Sequence, residues 1–129
     1  MNDAQTSTEE EIRAYIESQK LTPITNLDEI SEGDVLTEIS RYPEKSCDFY
    51  VVVARRFLKD GHFGGGPACW DFTGDYAWAW IPGKPGEAPS YKKAKSNRHS
   101  VYQGDLEENR YFLITELDSP LGKIANKII

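Results

Sequence analysis

Cys69-Trp70-Asp71-Phe72-Thr73-Gly74-Asp75-Tyr76-Ala77-Trp78-Ala79-Trp80-Ile81 holds all three tryptophans of the chain and two further aromatic residues. From Tyr76 onward the residues alternate strictly, with Tyr76, Trp78 and Trp80 on one side and Ala77, Ala79 and Ile81 on the other. That is the period of a β-strand and not of a helix. Thr73-Gly74-Asp75 has turn chemistry, so the stretch predicts a hairpin whose second strand shows large rings to one layer and small residues to another. Two readings of the rings follow. As core they face a shared layer with at least two of Tyr76, Trp78 and Trp80 largely buried; as a groove they bind a ligand or a partner.

On either side of this stretch the chain reads as an α+β domain. Upstream, Phe49 to Leu58 is β-branched and aromatic with apolar residues at both parities until Arg55, the pattern of a central strand. Arg55 and Arg56 then point to opposite faces, and one of them is expected to reach an edge or a carboxylate. Val35 to Ser40 predicts another strand, entered through the turn Glu32-Gly33-Asp34 and closed by Pro43. Near the N-terminus, Thr6, Ser7 and Thr8 each stand three residues before a glutamate, the spacing of a capping box. Ile12, Tyr15 and Ile16 give the helix that follows one apolar stripe, with Lys20 in its last turn, and Pro23 stops it near Leu21. Met1 to Thr6 is expected to be a disordered tail.

Downstream, residues 82–99 read as an exposed excursion rich in Pro, Gly and Lys, the most mobile internal segment. Val101 to Gly104 predicts a short strand, Gly104 to Asn109 a polar turn, and Arg110 to Leu117 a longer strand. Ser119-Pro120 opens a short terminal helical turn with the stripe Leu121, Ile124, Ala125 and Ile128. The sum is one domain over residues 1–129: about five or six strands in a small, strongly bent antiparallel sheet or barrel, with an N-terminal helix. The pattern Ile30-x-x-Gly33-Asp34-Val35-Leu36 resembles the entry to the first strand of small SH3-like and PUA-like β-barrels, and the barrel alternative is what that resemblance implies.

Composition bounds the function. Hydrophobic residues make up 39% and charged residues 28%, an ordinary globular balance at 129 residues. No apolar run is long enough for a bilayer, and the opening residues lack the basic start and apolar middle of a signal peptide, so a cytoplasmic location is expected. Cys47 and Cys69 are too few for a disulfide framework. The net charge of −6 disfavours general nucleic-acid binding. Residues 1–40 hold ten acids and two bases, a balance of −8, which leaves +2 for the rest. An acidic surface built from Glu10, Glu11, Glu17, Asp28, Glu29 and Glu32 would steer the protein toward a basic partner.

Catalytic and metal motifs are weak. Gly66-Pro67-Ala68-Cys69-Trp70 resembles the Cys-Trp of papain-type proteases, with His99 downstream, but that pattern needs Cys-Gly-Ser-Cys-Trp opening a long helix. His62, Cys69, Asp71, Asp75 and His99 lack metal-ligand spacing, and the glycines of 61–66 are not followed by the Gly-Lys-Ser/Thr of a phosphate loop. No cofactor, metal or catalytic residue is expected. The reading is a small acidic non-catalytic binding protein, of inhibitor or immunity type, that acts on another macromolecule. The alternative is a nucleic-acid or nucleotide-ligand module using the basic segment Tyr91, Lys92, Lys93, Lys95 and Arg98 with nearby aromatics, Tyr91 and His99 among them.

Overall fold

The computed structural model describes residues 7–19, 21–41, 47–72, 76–81, 89–94 and 99–128. Its strands are β1 (Thr22–Pro23), β2 (Val35–Ile39), β3 (Phe49–Val53), β4 (Arg56–Leu58), β5 (Cys69–Phe72), β6 (Tyr76–Trp80), β7 (Ser90–Ala94), β8 (His99–Tyr102) and β9 (Tyr111–Leu113). Three helices accompany them: α1 (Glu9–Ser18), the single turn α2 (Gln103–Leu106) and α3 (Pro120–Ile128), with a 3-10 turn at Leu27–Glu29. The strands form two antiparallel sheets, six strands in the order β1-β9-β2-β3-β6-β7 and three in the order β4-β5-β8. Neither is closed into a barrel among the described residues, so the architecture is α+β with open sheets. The tail 1–6, Lys20, Pro43, the Thr73-Gly74-Asp75 turn, and Lys95 and Arg98 lie outside the described residues, as does most of the 82–99 excursion.

α1 begins where the capping-box spacing puts it. Thr8 Oγ1 accepts from the Glu11 amide at 3.1 Å while Glu11 Oε1 accepts from the Thr8 amide at 2.9 Å. Ile12 and Ile16 are buried and Tyr15 stacks on Phe49 with ring centroids 6.0 Å apart. The helix ends at Ser18, a turn earlier than Leu21. α3 is longer than the expected turn; Leu121, Ile124, Ala125 and Ile128 are all buried, and Ser119 Oγ caps it by accepting from the Gly122 amide at 3.0 Å. Both helices cover one face of the large sheet, against Val35, Ile39, Phe49, Val51, Val53, Ala77 and Ala79. The other face carries the small sheet through Leu36, Val52, Trp70, Phe72, Val101 and Tyr111. Helices, large sheet and small sheet are three layers with two apolar seams.

The hairpin expectation is corrected. β5 and β6 have the expected bounds but do not pair: β5 lies between β4 and β8, and β6 between β3 and β7. The cause is upstream, where Phe49 to Leu58 proves to be two strands. At Ala54 the backbone leaves β2, bonding to the Gly33-Asp34 turn, and one residue later the Arg55 amide donates to the Asp71 carbonyl at 2.9 Å. Gly33 holds that crossover with a φ of 90°, a conformation that side chains resist. Because β4 recruits β5 into the second sheet, Trp70 and Phe72 pack across the seam instead of alongside β6.

Three smaller corrections concern the second half. Ser90 to Ala94, assigned to the mobile excursion, is an edge strand paired with β6 from Tyr76↔Ala94 to Trp80↔Ser90. Gln103 to Leu106 is helical because Asp105 Oδ2 accepts from the Tyr102 amide at 2.9 Å and caps the turn, while Leu106 is buried. β9 stops at Leu113, four residues short of Leu117, since Thr115, Glu116 and Leu117 have left the sheet and are exposed. Arg110 ties the layers at this end, giving Nη2 to Glu9 at 2.9 Å and Nη1 to the Ser40 carbonyl at 3.2 Å.

Candidate functional site

β6 has the two faces expected of it, with the three rings sharing one side and the alanines the other. Ala77 and Ala79 are fully buried against the helical layer, whereas Tyr76, Trp78 and Trp80 are each only half-buried on the other face. α3 packs on β3 and β6, and alanines let it come close in a way indoles would not. The rings are therefore turned toward the small sheet, which covers only part of that face.

The strand registers line up two cross-strand rows there. Leu113, Leu36, Val52, Tyr76 and Ala94 form the first, whose central residues lie under the small sheet. The second is Tyr111, Glu38, Tyr50, Trp78 and Lys92. Tyr111 and Glu38 are buried and hydrogen-bonded to each other, and burial pushes the Tyr111 phenol far above its ordinary range. Toward β7 the row opens: Tyr50 and Trp78 are half-buried and Lys92 is exposed. Tyr76 bridges the rows, 6.0 Å from Tyr50 and 6.4 Å from Trp78 between ring centroids. Lys92 Nζ sits 5.7 Å from the centre of the Trp78 ring, a cation–π placement, and the Trp78 indole N–H is buried without a hydrogen-bond partner among the described residues. Trp80 stands beyond, opposite Ser90.

The expected basic segment is not one surface. β7 alternates, so Lys92 joins Trp78 while Tyr91 and Lys93, opposite Ala79 and Ala77, belong to the helix-facing side. The acidic third is divided as well. Glu10, Glu11 and Glu17 are exposed on α1, whereas Asp28, Glu29 and Glu32 are exposed around the 3-10 turn, which packs Leu27 into the opposite seam. Two of the six serve local structure: Glu11 closes the α1 capping box, and Glu29 accepts from the Thr25 and Asn26 amides at 2.8 and 3.0 Å.

A polar cluster that the sequence does not announce lies on the outer face of the small sheet. Arg56, Asp71 and Ser100 are cross-strand neighbours there. Arg56 donates from Nε to Asp71 Oδ2 at 3.1 Å, which supplies the carboxylate expected for one of the two arginines. His62 reaches in from the β4–β5 loop and shares a 2.6 Å hydrogen bond with Ser100. Next to it Phe63 is fully exposed, and Phe57 on β4 is also exposed. Cys69 is buried in β5, where burial pushes its thiol above the ordinary value, so the papain-like reading has neither a helix nor a thiolate to stand on. Cys47 is buried as well, and neither cysteine is in a disulfide among the described residues.

Among the described residues no group of His, Cys, Asp and Glu is placed to hold a metal ion, and no helix is long and apolar enough to cross a membrane. Comparison with known proteins finds no matching family model, no matching curated protein and no matching solved structure.

Proposed function

We propose that the protein is a non-catalytic binding module that engages another protein, in the manner of an inhibitor or immunity protein, through the open half of its large sheet. The observation that supports this is the orientation of β6: Trp78 and Trp80 are only partly buried although the core at this strand is completed by alanines. Partly buried indoles with Tyr50 beside them provide rigid, amphipathic contact area of the kind that dominates protein interfaces. The acids of α1 and of the 3-10 turn, spread over two layers, act on such an encounter by long-range steering toward a basic partner and not as one contact patch.

The test is affinity capture with wild-type protein and with Trp78→Ala/Trp80→Ala, compared at matched folded fraction. A partner retained by wild type and lost by the variant is the expected result; equal retention sinks the reading. The second reading, a single-stranded nucleic acid stacked on these rings, is favoured by Lys92 over Trp78. It would show as binding that falls steeply with salt and does not depend on a protein partner.

A further inference from the structure

The outer face of the small sheet is built differently from the aromatic row. We propose that Arg56, Asp71, Ser100 and His62 form a site for a phosphoryl group that carries at least one hydroxyl, as in hydrogen phosphate or a phosphomonoester.

Three features converge on that chemistry. Arg56 engages Asp71 through Nε alone, and its two terminal amino groups have no partner among the described residues, on a side chain that is 58% exposed. A buried carboxylate thus holds the guanidinium with its fork facing outward, the preorganised form in which arginine takes two oxygens of one anion. On the other side of Asp71, Ser100 and His62 bring a hydroxyl and an imidazole to one point. Between them lies the third feature. The Asp71 side chain is only 2% exposed, and its Oδ1 has no hydrogen-bond partner among the described residues. A buried acceptor left unpaired marks a place where a donor is missing. An anion made of acceptors alone, such as sulfate, would set lone pair against lone pair there. A phosphoryl hydroxyl supplies the donor while the charged oxygens of the same group meet Arg56, Ser100 and His62.

Oδ1 is shut off from solvent, so binding requires a local opening beside Asp71, where Ser100 is the cross-strand neighbour. The loop that carries His62 is closed by the Gly66 amide on the Asp60 carbonyl at 2.8 Å and turns on Gly61 and Gly64, with φ of 78° and 74°. A Cβ at Gly61 would press on the Pro67 carbonyl at 3.1 Å, so this turn depends on glycine.

The experiment is an NMR titration of the full chain in mildly acidic buffer at constant ionic strength. Its probes are inorganic phosphate, sulfate, a nucleoside monophosphate and phosphodiester-lipid vesicles. Saturable shifts at Arg56 Nε, Ser100 and His62 are expected with phosphate, and sulfate should bind roughly tenfold or more weakly, since it leaves Oδ1 unpaired. The monophosphate arm separates a phosphomonoester ligand from free phosphate, whichever binds tighter; the diester arm should be silent. Ser100→Ala, which leaves the Arg56–Asp71 pair intact, should weaken phosphate, and Asp71→Asn should abolish the preference for phosphate over sulfate. Equal shifts with phosphate and sulfate in the wild type, meaning an adventitious ion only, would overturn the proposal. So would absence of saturation, or a diester bound as well as the monoester.

Discussion

Two neighbouring rows on one face of the large sheet differ in how far they are covered toward β7. Leu36 and Val52 are buried in the cluster of Trp70 and Phe72 of the small sheet, with Tyr76 packed against it, while one pair of residues further along the same strands Tyr50 and Trp78 are only partly buried and Lys92 is exposed. The backbone is the same, the period is the same and both rows carry aromatic rings. What differs is the cover: a three-stranded sheet of short strands reaches only so far. Burial at a strand position is thus decided by the element across the seam as much as by the side chain itself.

If the closed side of β3 and β6 carries the core, Phe49→Ala, fully buried between Tyr15 and the sheet, should be the most damaging change, at about 3 to 5 kcal/mol in chemical denaturation. A loss as small as that for an exposed residue would break the comparison at its root. Next comes Gly122, which lets α3 lie close: a Cβ there would overlap the Glu116 carbonyl oxygen and the Leu117 backbone. Gly122→Ala should cost about 1 to 3 kcal/mol through overpacking, read as a lowered denaturation midpoint. On the second row Trp78→Ala should cost about 1 to 2 kcal/mol, less than a core ring, because Trp78 is only partly buried. A loss matching that of Phe49→Ala would return Trp78 to the core.

The smallest effect concerns the tie at the end of the sheet. Arg13 first, then Arg110, hold the Glu9 carboxyl below its ordinary value. A carboxylate with a depressed folded-state pKa contributes stability that is complete above the unfolded value of about 4.3 and is lost as pH falls through the lowered one. Glu9→Gln should therefore flatten the acid side of the stability profile and change little at neutral pH. An unaltered acid limb would show that Glu9 contributes nothing to it.

How much of this could be read from the residues follows the same division. The capping box at Thr8 and Glu11, the strand entry at Gly33-Asp34 and the stripe Leu121, Ile124, Ala125, Ile128 are local patterns, and the structure has them where the spacing puts them. β6 was legible as a two-faced strand, but alternation cannot say which face is covered when one is aromatic and the other small and apolar. That choice lay with α3, forty residues away. The turn chemistry at Thr73-Gly74-Asp75 pointed to a hairpin, and the crossover at Ala54-Arg55 overrode it by placing β5 in the other sheet. The meeting of His62 with Ser100 and of Arg56 with Asp71 depends on register between distant strands and left no mark in local spacing.

The most direct measurement is acrylamide quenching in single-tryptophan variants that keep Trp70, Trp78 or Trp80, with the other two replaced by phenylalanine. Trp70 is 6% exposed and donates its indole N–H to the Leu27 carbonyl at 3.0 Å, whereas Trp78 and Trp80 border the open row. Quenching should be weak for Trp70 and clearly stronger for both Trp78 and Trp80 in the folded protein. Equal protection of all three would contradict the open aromatic face and with it the binding surface proposed there.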